Sequence, residues 1–413
     1  MKLRHYVNEG ARTLLANNLV YGVNFLGNLV MARMLAPHDF GLLALALALV
    51  GLVEILTTFS IHTVYVQRRD GPTLSRAIFQ LSAAAAAIKI LCGALVFLFA
   101  HSRYGQVVWI LFTLILISKI VTTFGMLLIT AIEKQGRFFH ASLAVNLANT
   151  AGSIVAIICI WMGAGVYGLA MREFLPCFLT LAAVLPKTRH MWPSDWRRID
   201  RRMLRILAIA SGQMYIQRAA ELSFMRIPAL IMHSLLGSGV LGFFVQANYL
   251  VSAVNRVTSV ANQQIALVFF SRNRKDLKQA RAGQWLLVLL SLVLALPVVL
   301  VLALVPDMVV KLLWGQRWVG AIPLIRAMAP LALILPLFSI YKSRLIGLRR
   351  HNWITAAYAA GLAILVGGLF LCSEEHASLS SLGIVVVVSY AAMLSICGFN
   401  TRSSKNPTAS AEA

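Results

Sequence analysis

The chain has 413 residues, 59% of them hydrophobic and only 12% charged, with 37 Lys and Arg against 14 Asp and Glu. Soluble domains are about 45–50% apolar and about 25% charged, and a soluble protein of this size needs a polar exterior that this composition cannot supply. Disorder is excluded by the same numbers, because disordered chains are apolar-poor.

What remains is a polytopic, all-α integral membrane protein. A helix needs about 20 predominantly apolar residues to cross the hydrocarbon core. Such runs occur at 13–32, 40–62, 78–100, 107–131, 140–161, 164–186, 206–232, 238–268, 284–306, 321–341, 351–372 and 378–399, which predicts about twelve spans. The polar start MKLRHYVNEGART is unlike a cleaved signal peptide, so the first span itself is expected to target the chain. Pro228, Pro297 and Pro336 fall inside spans and mark either hinges or static bends. Cys92, Cys159, Cys177, Cys372 and Cys397 all lie in apolar runs without metal-ligand spacing and read as small core hydrophobes. No motif calls for a cofactor or a metal.

The net charge of +23 is compatible with nucleic acid or an anionic membrane. Its distribution favours the membrane. With the N-terminus in the cytoplasm, 26 of the Lys and Arg fall on inside segments, four (Arg33, Arg103, Lys311 and Arg317) fall outside, and seven lie within spans. That asymmetry predicts that both termini are cytoplasmic and removes the reason to invoke nucleic acid. The densest inside segment, 187–205, separates an N-terminal six-helix bundle (1–186) from a C-terminal one (206–400), followed by a cytoplasmic tail (401–413). A weak internal repeat supports two halves. Leu35-Ala36-Pro37-His38-Asp39-Phe40-Gly41 opens the second span, and at a shift of 201 residues Leu236-Gly237-Ser238-Gly239-Val240-Leu241-Gly242 opens the eighth.

The seven cations within spans are Lys89, Lys119, Arg172, Arg218, Arg226, Arg256 and Arg326, joined by Glu54, Glu173 and Glu221. Each costs about 2.5–3.5 kcal/mol at a helix centre, so lipid-facing placement is disfavoured. Either a water-filled cavity holds an anion, or the charges pair and snorkel, as Arg172 beside Glu173 and Arg218 near Glu221 would allow. Polar stripes recur at helical spacing: Asn17, Tyr21, Asn24 and Asn28 in the first span, Glu54, Thr58 and His62 in the second. The seventh carries Gln213, Gln217 and Glu221, and the eighth Asn248, Ser252, Asn255, Ser259 and Asn262 with Arg256 alongside. Stripes of this kind are substrate-facing surfaces or interhelical seams. The fifth span's Ser142, Asn146, Asn149 and Ser153 read as a packing seam.

The run Ala32-Arg33-Met34-Leu35-Ala36-Pro37-His38-Asp39-Phe40-Gly41-Leu42-Leu43-Ala44 resembles the first hairpin of the Wzx-type polysaccharide exporters, the lipid-linked oligosaccharide flippases. Val66-Gln67-Arg68-Arg69-Asp70 is similar to their exopolysaccharide branch, and Trp314-Gly315-Gln316-Arg317-Trp318 with Ala321-Ile322-Pro323-Leu324 resembles their segment before the tenth helix. The resemblance implies the fold of the multidrug/oligosaccharidyl-lipid/polysaccharide exporter (MOP) superfamily, two six-helix bundles around a central cavity lined by helices one, two, seven and eight. It implies a flippase that moves undecaprenyl-diphosphate-linked oligosaccharide by alternating access, working with a polysaccharide polymerase and a chain-length regulator. On that basis Arg218, Arg256 and Arg226 are expected to meet the diphosphate. Tyr21, Asn24, Asn28, Gln217, Asn248 and Asn255 are expected to meet the sugars, and Glu54, Glu221 or Glu173 to couple transport to protons or sodium.

Other classes fit less well. An integral-membrane enzyme needs a long outside loop with catalytic groups, whereas the outside loops here are short and carry no G-x-S-x-G, H-E-x-x-H or Walker pattern. A multidrug cation antiporter shares the architecture, but a net-positive interior repels organic cations. A peptidoglycan lipid-precursor flippase usually has more helices, and a pure scaffold has no need of so many buried charges.

Overall fold

The computed structural model describes residues 3–57, 65, 72–135, 137–188, 201–272, 277–304, 306–348, 350–374 and 378–402. Every described element is helical. In chain order they are α1 (Leu3–Met34), α2 (Pro37–Thr57), α3 (Pro72–Ala100), α4 (Gln106–Lys134), α5 (Phe138–Cys159), α6 (Val166–Thr188) and α7 (Arg201–Arg272). Then follow α8 (Leu277–Leu304), α9 (Pro306–Leu313), α10 (Ile322–Met328), α11 (Leu331–Gly347), α12 (His351–Glu374) and α13 (Leu379–Arg402).

Among the described residues nine helices are long and apolar enough to cross a membrane, or ten if Gln316–Met328 and Leu331–Gly347, bent by 51°, form one span. Two of the twelve expected spans, 13–32 and 238–268, extend into residues outside the described side chains and are not fully covered by that count. Tyr215–Ala253 is broken at Gly237 (φ 82°, ψ 172°). The internal repeat lays Gly237 over Ala36, and each position interrupts a helix. At the first break the Ala36 N–H donates to the Asp39 carboxylate at 3.0 Å, closing the start of α2. The backbone stays helical through Pro228, Pro297 and Pro336, and through Pro176 and Pro186 of α6. Apart from Gly237, the sharp bend falls at Ala329–Pro330, where α10 meets α11.

The chain forms two compact units, Met1–Leu230 and Ile231–Ala413. Of the basic segment expected to separate the halves, 189–200 lies outside the described residues, as does the tail beyond Arg402. The start of α7 packs with the first unit: Leu207, with Met203 and Leu204, joins a core of Tyr65, Leu74, Ala77, Ile78, Leu127 and Ala131. In that unit α2 is the innermost span, 67% buried along its apolar window against 39% or less for the other candidate spans. It touches α3, α4 and α6. α5 and α6 form a tight hairpin, because a β-carbon at Gly152 would lie 2.6 Å from Pro176 Cγ. Small residues admit such close helix approach where no hydrophobic force drives helices together in lipid.

In the second unit α12 and α13 form a hairpin that packs on α10 and α11. The tryptophans of the 314–318 motif are structural: both are buried, their ring centroids 5.7 Å apart, with Phe243 edge-on to Trp318 at 6.1 Å. Gly315 (φ 88°) makes the reversal between them. Lys342 and Arg344, assigned from sequence to an inside loop, belong to α11, which runs to Gly347. Arg344 is buried and its Nη1 donates to Gln284 Oε1, while Lys342 Nζ donates to Tyr358 OH at 2.9 Å. Long basic side chains that find polar partners let a helix continue past its last apolar run.

Candidate functional site

The α1 stripe turns its oxygens toward the bundle. Asn17 Oδ1 accepts from Ser142 Oγ (2.5 Å) and Asn146 Nδ2 (2.6 Å), and Asn24 Oδ1 accepts from Ser153 Oγ (2.9 Å). Asn28 is buried and accepts from Arg172 Nη1 of α6 at 2.7 Å. The α1 and α5 stripes are therefore one interhelical seam, and Arg172 takes Asn28 as an acceptor. Asn24 and Asn28, expected to meet sugars, spend these oxygens on neighbouring helices. Tyr21 is exposed on α1.

α7 is fixed to α2 by two contacts. Tyr215 OH donates to the Ile55 carbonyl at 2.7 Å, and the stem of Arg226 lies in the groove over Gly51. Between these contacts α7 carries Gln217, Arg218 and Glu221, and α2 carries Glu54. Arg218 Nη1 pairs with Glu221 Oε2 at 3.2 Å, with the arginine side chain 47% exposed and the glutamate 14%. Gln217 and Glu54 are half-buried. Arg226 Nε is buried without a hydrogen-bond partner among the described residues. Gln213, Thr58 and His62 lie outside the described side chains.

A second polar cluster joins α3 to α4. Lys89 is buried, and its Nζ donates to Thr123 Oγ1 at 2.6 Å and reaches the Lys119 carbonyl at 3.5 Å. Glu54 attracts this ammonium and Lys119 repels it. One turn away, Ser118 Oγ donates to the Glu173 backbone carbonyl at 2.7 Å, tying α4 to α6. The sequence marked Lys89 as an intramembrane cation but gave no partner for it. Thr123, one helical turn beyond Lys119, was the available signal.

In the second unit Asn248 and Asn255 are half-buried on α7, and the side chain of Arg256 lies outside the described residues. Arg326 pairs with Asp307 at 3.2 Å, both 55% exposed, which accounts for that cation locally. The structure thus brings Gln217, Arg218, Glu221 and Arg226 together on one stretch of α7 against α2. It engages Asn24 and Asn28 elsewhere.

Solved transporters share this helical architecture. A multidrug resistance MATE family transporter of the MOP superfamily, in its inward-facing conformation, matches with TM-score 0.69 at 13% identity, over 93% of this chain and 94% of that one. The lipid II flippase MurJ, in an inward closed conformation, matches with TM-score 0.69 at 8% identity, over 95% of this chain and 87% of that one. A MOP superfamily transporter from Pyrococcus furiosus matches with TM-score 0.62 at 13% identity, over 95% and 94%. The fold is that of the MOP transporters. A profile of the polysaccharide biosynthesis protein family matches residues 30–323, and the chain belongs to that family. Of the three stretches that resemble polysaccharide exporters, 32–44 and 66–70 lie inside the matched residues and 314–324 ends one residue beyond them. The succinoglycan biosynthesis transport protein ExoT of Rhizobium meliloti (strain 1021) is 20% identical over 323 residues, 77% of this chain. The chain spans 64% of that relative's length. The chain thus belongs to the polysaccharide biosynthesis protein family and has the helical fold of the MOP transporters.

Proposed function

We propose that the protein is an inner-membrane flippase that carries a polyprenyl-diphosphate-linked oligosaccharide from the cytoplasmic to the outer leaflet by alternating access. The observation that carries this reading is the cationic stretch of α7. Arg218 and Arg226 stand about two turns apart on a membrane helix, Arg218 half exposed and Arg226 with a buried Nε that has no hydrogen-bond partner among the described residues. A diphosphate is a compact multivalent anion that guanidinium forks bind well. Gln217, Asn248 and Asn255, with Tyr21, offer amide and hydroxyl partners to sugars, and Arg256 adds charge on the second stretch of α7. Glu54 is the carboxylate best placed to couple transport to protons or sodium, with Glu221 and Glu173 as the other acidic groups in the spans. A polymerase and a chain-length regulator are the expected partners.

The test is the leaflet distribution of lipid-linked oligosaccharide in a deletion strain. Accumulation in the cytoplasmic leaflet, reversed by the intact gene but not by an Arg218→Ala, Arg226→Ala double variant, supports the reading. Normal glycan export in the deletion strain, with no second exporter present, overturns it in favour of a cation antiporter.

A further inference from the structure

Lys89 is a buried charged side chain of the first unit that the proposed substrate site leaves unused. Its ammonium has three donors, and the two bonds it makes go to neutral groups of a single helix, Thr123 Oγ1 and the Lys119 carbonyl. The Lys119 carbonyl also accepts from Thr123 Oγ1 at 2.9 Å, so the hydroxyl is oriented with its lone pairs toward Lys89. Among the described residues Lys89 makes no ion pair. An ammonium buried in a bilayer with neutral acceptors alone is expensive, and intramembrane charges of this kind mark ion pathways. Its counter-charge is Glu54, on the most buried span, which α3 and α4 both contact.

We propose that Lys89 is a tethered cation that exchanges with a small monovalent coupling cation, a proton or a sodium ion, at Glu54. With the coupling ion on Glu54 the lysine rests on Thr123 of α4. When the ion leaves, the bare carboxylate draws the ammonium across from Thr123 to α2. In this exchange the ion that departs Glu54 is replaced by the charge of the lysine ammonium. A compact ammonium on four flexible methylenes can swing between two sets of acceptors, whereas a guanidinium presents a rigid planar fork. Ion release is thereby converted into a change of tie, α3 to α2 instead of α3 to α4. The other charged group acting on this ammonium is Lys119 from α4, with Cys177 of α6 near Lys119. Arg172 of α6 donates to Asn28, and Arg226 of α7 lies over Gly51, one turn from Glu54 on α2.

This inference rests on the flippase reading above, and one experiment separates the two. In the deletion strain, glycan export and membrane abundance are measured for the full-length wild type and for Glu54→Gln, Lys89→Met, Lys89→Arg and the Lys89→Met, Glu54→Gln double variant. Each is assayed with and without protonophore, and in sodium-free medium. Wild-type export falls under one of the two treatments, which identifies the ion. Lys89→Met loses at least about fivefold in export at normal abundance, the lower end of a typical coupling energy. Glu54→Gln and the double variant export equally slowly and without response to either treatment, and the residual export of Lys89→Met has a weakened ion dependence, which a purely structural lysine would not produce. Glu54→Gln with wild-type ion dependence overturns the proposal even where Lys89→Met fails to accumulate, as does Lys89→Met with wild-type rate and ion dependence. Failure of the wild-type gene itself to restore export overturns the flippase reading instead.

Discussion

Gly51 and Arg226 occupy one another's space: a β-carbon on Gly51 would lie 2.4 Å from Arg226 Cγ and 2.9 Å from its Cβ. The cationic stretch of α7 is held against the innermost span because position 51 has no side chain. The Arg226 Cβ is part of the contact, so a change of rotamer cannot clear it. Gly51→Ala is expected to cost about 1–3 kcal/mol, the usual range for overpacking, read as a lower unfolding temperature in detergent. Combining it with Arg226→Ala removes the 2.4 Å contact and recovers part of that loss. A double variant less stable than Gly51→Ala alone would show that the contact is not what matters.

Arg218 presents the opposite case. Its pair with Glu221 is at 3.2 Å but the guanidinium is 47% exposed, and exposed pairs contribute about 0–1 kcal/mol before screening is counted. Arg218→Ala should leave the unfolding temperature nearly unchanged. If the arginine meets a diphosphate, one lost charge-assisted bond, about 1.5–3 kcal/mol, lowers export roughly ten- to a hundredfold. Arg218→Lys keeps the charge without the fork and should fall between. Wild-type export by Arg218→Ala removes this residue from the site.

The α1 seam separates two kinds of hydrogen bond. Asn24 accepts from a neutral hydroxyl and Asn28, buried, from a guanidinium. Interhelical bonds in membranes average about 0.6 kcal/mol, whereas removing a partner of a charged group costs about 1.5–3 kcal/mol. Asn28→Ala should therefore lower the unfolding temperature clearly more than Asn24→Ala. Equal effects would mean that Arg172 keeps its full stabilisation from its other interactions.

These cases show what the sequence could and could not supply. Spacing identified a polar face on α1 and another on α5, but spacing is the same whether a face meets water or another polar face. The α5 stripe was read as a seam, yet nothing in the one-dimensional pattern revealed that the α1 stripe was its partner. Span positions followed from hydropathy, while their ends did not. Lys342 and Arg344 looked like loop markers because the chain does not announce that Tyr358 and Gln284 await them. The break between Leu236 and Ser238 was legible from glycine placement and from the repeat, and the fit of Gly51 to Arg226 was not, because it joins residues far apart in the chain.

Two glycines, two residues apart, make the last prediction. Gly237 has φ 82° and ψ 172°, a combination essentially restricted to glycine, and a non-glycine residue there costs about 1–3 kcal/mol. A β-carbon at Gly237 or at Gly239 would meet nothing within 4 Å, so sterics with neighbours do not decide either substitution. Gly239 lies within the helical stretch that follows the break. Alanine there gains about 0.5–1 kcal/mol from the reduced freedom of the unfolded chain. Gly237→Ala is thus expected to lower the unfolding temperature and Gly239→Ala to raise it or leave it unchanged, measured side by side in the same detergent. Should Gly237→Ala prove as stable as wild type, the helix runs through position 237 in solution, and Tyr215–Ala253 is a single unbroken span.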